Sequence, residues 1–212
     1  MNERPEVRRA ASGDSDEAAA LILEPSPGLE LIYGSRGAAL RGAARAFRSP
    51  RTVLSHRFGL VAVDRQDVVG LLVAVPGELW PRLRVSTGLV MLLAAPHRGW
   101  SLVKRGRVLD RIQPRVPAES LYVSSLAVGA GHRSRGVGGE LLRAAVQLAR
   151  WRQFASVTLD VGVENEGARR FYERHGFVET ERRFTSERDR RLIPTAGSLR
   201  MELPLGGGAQ PT

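Results

Sequence analysis

Apolar positions recur along the chain at two periods, and the periods mark the elements. In Ala39 to Arg48, Leu40, Ala43, Ala44 and Phe47 fall at i, i+3, i+4 and i+7, the spacing of one helix face. Arg41, Arg45 and Arg48 fall on another face and read as a solvated stripe. Gly139 to Arg152 repeats the pattern through Leu142, Ala145, Val146 and Ala149. Phe58 to Val63 and Val68 to Val75 are apolar, β-branched runs separated by Asp64-Arg65-Gln66-Asp67, which predicts an antiparallel hairpin stopped by Pro76-Gly77. Glu6 to Ala10 reads as a short first strand. Asp14-Ser15-Asp16-Glu17 reads as a helix start, with Asp14 as cap and Glu17 three residues on, and Pro25 and Pro27 end that helix.

The second half is sharper. Leu121 to Val128 is a strand, Gly129 to Gly138 a loop of glycine and arginine, and Ser156 to Val163 a strand. Glu166 to His175 is a short helix ended by Gly176, and Val178 to Phe184 pairs with Ser198 to Leu203. Strand, helix and strand at this length imply one parallel, right-handed crossover in an otherwise antiparallel sheet, so the expected class is α+β, a mixed sheet flanked by helices. Glu78 to Glu119 stands apart, with helices expected at about Thr87 to Ala95 and Trp100 to Ile112, split by Pro96 and closed by Pro114 and Pro117. The domain expected is 1–205, with a helical insertion at about 78–119 and a glycine-rich tail at 206–212.

Composition narrows the chemistry. Among 212 residues there is no cysteine, which excludes disulfides, thiolate metal sites and a cysteine nucleophile. With 42% hydrophobic and 25% charged residues the chain is globular rather than disordered. Met1-Asn2-Glu3-Arg4-Pro5-Glu6 has no apolar run of the kind a signal peptide needs, and Leu89 to Ala95 is too short to span a bilayer. A reducing, cytoplasmic setting is expected, with no membrane partner. The net charge of +10, carried almost wholly by arginine since Lys104 is the only lysine, suits an anionic partner; arginine-favouring codon usage explains it as well.

A phosphate site is therefore sought, and one loop offers it. Gly131-His132-Arg133-Ser134-Arg135-Gly136-Val137-Gly138 lies between a strand end and a helix start. Glycines allow close backbone approach, and the first amides of a helix are unpaired and point along its positive end. A P-loop would need Lys after Gly136, where Val137 stands. A dinucleotide fingerprint fails at Ser134 and Leu141, although Asp160 on the next strand keeps that reading open. Gly131-x-x-Ser134-x-Gly136 is one residue too long for a nucleophile elbow. Arg133-x-x-Gly136-x-Gly138 remains.

That motif, preceded by a strand and followed by a helix, resembles the acyl-CoA motif of the GNAT superfamily of N-acyltransferases. A second family motif follows in order: Asn165-x-x-Ala168-x-x-x-Tyr172-x-x-x-Gly176-Phe177. The close resemblance covers about Leu121 to Phe184, with a looser match at Phe58 to Val75. Glu78 to Glu119 departs from it, since the family commonly joins those strands by a short turn. The resemblance implies acetyl transfer from acetyl-CoA, as co-substrate and without a metal, to a primary amine. The amine could belong to a protein N-terminus, a lysine, a polyamine, an aminoglycoside or a small metabolite, and a homodimer stays open.

It also implies roles. Backbone amides across Arg133, Ser134, Arg135, Gly136, Val137 and Gly138 would hold the pyrophosphate. The strand through Leu126 and Val128 would pair with the pantetheine arm, and an amide near Val128 would polarise the acetyl carbonyl. Tyr172 would protonate the departing thiolate and touch the cofactor. A tyrosine packed on the sheet is the plainer reading, and since Phe171 is adjacent, one of the pair should face away from the core. Asn165 would cap its helix and steady the cofactor. Asp160, where ribosomal-protein N-terminal acetyltransferases carry a glutamate, would be the base, acting directly or through water. Tyr122 and Ser124 share a strand face and would bind the acceptor or order a water. The four histidines show no triad or metal spacing. A non-catalytic acyl-CoA-binding or regulatory module is the alternative, and nucleic-acid binding a weaker one, for want of interleaved aromatic and basic residues.

Overall fold

The computed structural model describes residues 5–24, 30, 33–94 and 99–206. The proline ending at Pro25 and Pro27, the break at Pro96 and most of the tail lie outside the described residues. One seven-stranded sheet organises the rest: β1 (Glu6–Arg9), β2 (Gly59–Asp64), β3 (Asp67–Pro76), β4 (Ser120–Val128), β5 (Ser156–Gly162), β6 (Val178–Phe184) and β7 (Gly197–Pro204), in the order β1-β2-β3-β4-β5-β7-β6. β4 and β5 are parallel and all other pairs antiparallel, which is the mixed sheet that strand–helix–strand spacing predicts.

Alternation along the strands builds two cores. Leu121, Val123, Val157, Leu159, Leu199 and Met201 face α5 (Val137–Trp151) and α6 (Glu166–Arg174). Val61, Leu71, Val73 and Val75 face α1 (Ser15–Leu23) and α2 (Arg36–Arg48), whose Phe47 is fully buried. Ser35 caps α2 by accepting from the Ala38 amide. The expected Asp14 cap of α1 does not form. Its carboxylate turns back to the Ala11 amide at 2.7 Å and to Arg8, and a 3-10 turn at Ser12–Asp14 precedes the helix.

The insertion carries two helices, α3 (Trp80–Ala94) and α4 (Gly99–Ile112). α3 starts a full two turns before the expected Thr87, because Pro81 falls in the first turn, where its missing N–H costs nothing. Thr87 is instead buried mid-helix, donating to the Leu83 carbonyl and accepting from the Val53 amide at 3.0 Å. A last short helix, α7 (Glu187–Arg190), was not expected. Among the described residues no helix is long and apolar enough to cross a membrane.

Two features of the sheet place the site. β4 and β5 pair only from Ser120↔Ser156 to Val123↔Leu159, and beyond that they part. β4 also bulges where Val73 pairs with Ser125 and Ala74 with Val123, leaving Ser124 unpaired. From there to Val128 one edge of β4 has no strand beside it.

Candidate functional site

The loop and the parting strands enclose a cavity of about 560 Å³, lined by Leu126 and Val128 from β4, Arg133 to Gly139 in part, and Phe171, Tyr172, Arg174 and His175 from α6. Gly136 holds φ +84°, a left-handed turn that an L side chain resists, and becomes the N-cap of α5. A glycine cap offers no side chain, so the amides of Val137, Gly138 and Gly139 have neither an intrahelical nor a capping partner. Their dipole end and the surrounding cations favour an anion there. Arg143 pairs with Glu140 on its own helix at 2.5 Å, whereas Arg174 has no partner among the described residues. These donors, uncapped and cationic, fit a pyrophosphate and a pantetheine arm running along the free β4 edge.

Arg133 and Arg135 divide. Arg133 folds back, its Nε donating to the Val128 carbonyl at 3.1 Å and its Nη2 to Glu24 at 2.8 Å, so it braces the loop. Arg135 lines a smaller neighbouring cavity, of about 310 Å³, with Pro5 and Gly136. Asn165 accepts from the Ala168 amide at 3.0 Å and caps α6; it does not line the cavity.

Tyr172 and Phe171 both line the cavity and pack against the same core, their rings edge to face at 5.1 Å. The expectation that one would face away fails because cavity wall and core meet at this end of α6. Phe177 adds a second edge contact to Tyr172 at 5.6 Å. Burial pushes the Tyr172 phenol well above its ordinary value, so it keeps its proton at neutral pH. Among the described residues no group accepts a hydrogen bond from it.

Asp160 lies elsewhere. It stands directly opposite Arg200 in the β5–β7 pairing, and the two side chains are 7% and 4% exposed. Arg200 Nε donates to Oδ1 at 2.5 Å and Nη2 to Oδ2 at 3.0 Å, while the Tyr122 hydroxyl donates to Oδ2 at 3.0 Å. The guanidinium's other hydrogens reach the Pro114 and Arg115 carbonyls at 2.8 and 2.9 Å. Arg200 thus fastens the segment after α4 to the sheet. Tyr122 is sandwiched between Trp80, at 4.3 Å, and this guanidinium. Its phenol is pushed up, first by burial and then by the Asp160 charge.

A second cavity, of about 840 Å³, opens beside this cluster between the insertion and the sheet, lined by Glu78, Trp80, Arg84, Asp110, Arg115, Asp160 and Arg183 among others. Gly77 at its rim touches the 117–120 turn so closely that a Cβ would strike the Pro117 carbonyl. Ser124 does not reach it; its hydroxyl donates to the Val53 carbonyl at 2.7 Å. Arg200 and Arg174 were missed in the sequence. The alternation Ser198, Arg200, Glu202 on a strand paired with Asp160 was the available signal for the first; the second left none.

Comparison with known proteins agrees with this architecture. The profile of the family described as "Acetyltransferase (GNAT) family" matches residues 44–177. An uncharacterised N-acetyltransferase of Methanocaldococcus jannaschii is 40% identical over 73 residues, 34% of this chain and 31% of that protein, so the match spans about a third of either. The crystal structure of an N-acetyltransferase from Staphylococcus aureus Mu50 superposes with TM-score 0.72 at 15% identity, covering 93% of this chain and 100% of the other. The ribosomal-protein-S18-alanine N-acetyltransferase from Escherichia coli superposes with TM-score 0.57 at 13% identity, covering 98% and 97%. At such identities these two likenesses concern the fold.

Proposed function

The chain belongs to the GNAT acetyltransferase family, and from that premise we propose that it moves an acetyl group from acetyl-CoA to a primary amine by direct attack within a ternary complex. The observation that carries this reading is the Tyr172 hydroxyl. It is held protonated by burial, has no hydrogen-bond partner among the described residues, and lines the cavity into which the uncapped amides of α5 point. Acetyl-CoA supplies the activated acyl group as a thioester. The amides of Val137, Gly138 and Gly139 take its diphosphate, with Arg174 adding charge, and the free edge of β4 from Leu126 to Val128 takes the pantetheine arm. The Val128 amide polarises the carbonyl, and Tyr172 gives its proton to the departing sulfur.

The amine arrives through the second cavity. Asp160 lines that cavity, but its charge is already met by Arg200 and its Oδ2 by Tyr122. We therefore assign it to orienting, through its remaining Oδ1 lone pair, the water that carries the amine's proton away, rather than to taking the proton itself. Tyr122 stiffens that wall and Ser124 fixes the bulge.

Release of CoA thiol, followed across a panel of amines, tests the reading. At least one primary amine should accelerate thiol release, and Tyr172→Phe should suppress it with acetyl-CoA affinity kept. Tight acetyl-CoA binding with no amine turned over would favour the non-catalytic binding module instead.

A further inference from the structure

The insertion leaves an apolar tip uncovered. On α3, Val85, Leu89, Leu92 and Leu93 follow one another at helical spacing and are all exposed, Leu93 by 69%. On α4, Trp100 and Val103 continue the surface, Trp100 being 70% exposed. Gly99 abuts Leu92, so the end of one helix and the start of the other form a single tip. Exposed apolar side chains so grouped are more than the scattered residues of an ordinary surface.

Charge is arranged around the tip. The outward face of α4 reads Trp100, Val103, Lys104, Arg107 at i, i+3, i+4 and i+7, apolar near the turn and basic farther back. Lys104 lies over the Trp100 ring at 5.4 Å. Arg82 stands one turn behind Val85 on α3 and is exposed. Between Pro81 and Pro117 the sequence holds eight arginine and lysine residues against Asp110 alone. Most of the chain's positive excess thus resides in this one segment.

We propose that the tip of the α3–α4 hairpin docks on an anionic lipid surface, Leu92, Leu93 and Trp100 entering the headgroup boundary while Lys104, Arg107 and Arg82 meet the lipid phosphates. Aliphatic side chains with one tryptophan at the tip and a basic collar behind it are the arrangement such a surface rewards. A second copy of the chain is a poorer occupant, since a two-fold contact would press two strongly basic segments together. Nucleic acid is poorer too, because the tip is aliphatic and offers a single ring for stacking. The sequence reading had expected no membrane partner; it weighed spanning segments, not surface docking.

The test is flotation of the full chain with phosphatidylcholine vesicles, with and without phosphatidylglycerol, over a salt series. Sedimentation and a homopolymeric RNA are run alongside. The chain should float with the phosphatidylglycerol vesicles, less so as salt rises. Leu93→Glu with Trp100→Glu, and separately Lys104→Glu with Arg107→Glu, should each weaken flotation by about tenfold or more. Both pairs are exposed, so melting temperatures should not move. The proposal is overturned if the wild type stays in the aqueous phase, or if both double variants float as it does. It is equally overturned if the tip residues govern only dimerisation, or if the chain binds RNA but not vesicles.

Discussion

The two cavities are built on opposite plans. The one under α5 is made of backbone: uncapped amides, a left-handed glycine and an unpaired strand edge, with side chains closing its rim. The one beside the insertion is made of side chains, a buried ion pair with a phenol between an indole and a guanidinium, and it depends on a segment clamped from far along the chain. A ligand met by backbone tolerates almost any sequence that keeps the turn. A ligand met by side chains changes whenever they do. The difference teaches that the first cavity depends on a turn and a strand edge, and the second on particular side chains.

Six substitutions at five positions press on that contrast, beginning with the largest effect. Tyr172→Phe removes only a hydroxyl from the first cavity, and kcat should fall by roughly 10² to 10⁴ with the acetyl-CoA dissociation constant little changed. Because burial holds the phenol protonated, wild-type kcat should not decline on the alkaline side before pH passes the ordinary tyrosine value of about 10. Equal kcat in Tyr172→Phe at every pH would strip it of the acid role.

Arg200→Met leaves Asp160 buried and uncompensated, and should cost about 3–5 kcal/mol in chemical denaturation. Asp160→Leu with Arg200→Met should regain most of that while raising the acceptor's KM and sparing acetyl-CoA binding. If the double variant weakened acetyl-CoA instead, the two cavities would not be separable. Asp160→Asn should lower kcat by a factor that shrinks as pH rises and free amine becomes abundant; a pH-independent loss would reduce it to a wall residue.

Gly136→Ala meets no atom within 4 Å, so its cost is conformational, roughly 1–2 kcal/mol, and acetyl-CoA affinity should drop with acceptor KM unchanged. Calorimetric titration reads it. Smallest of all is the exposed counterpart of the buried pair. Hydrogen bonds from Arg8 hold the Asp14 carboxyl below its usual range. Its stabilising effect is present above the unfolded value near 3.9 and is lost as pH falls through the lower folded value. Asp14→Asn should cost less than about 1 kcal/mol at neutral pH and still less in acid, as thermal melts would record.

Legibility followed the same division. The β4–loop–α5 and α6 segments were readable because glycine spacing and helical periodicity are local, and the strands came out within a residue or two. Asp160 was found as an acid at a suggestive place, yet its partner was not, since Arg200 is 40 residues away and only strand pairing sets them opposite. The helix expected from about Thr87 begins at Trp80, and Thr87 is a buried mid-helix tie to Val53.

The Arg200 clamp also dictates an order of assembly. β7 slots between β5 and β6, both of which precede it in the chain, and its arginine grips carbonyls 85 and 86 residues upstream. On a ribosome the glycine-rich loop and α5 can settle while synthesis continues. The segment after α4 cannot be fastened until β7 has emerged. During that interval the cavity under α5 can form while the segment after α4 stays loose, so nascent chains should acquire protease resistance in two steps, the 113–117 segment last.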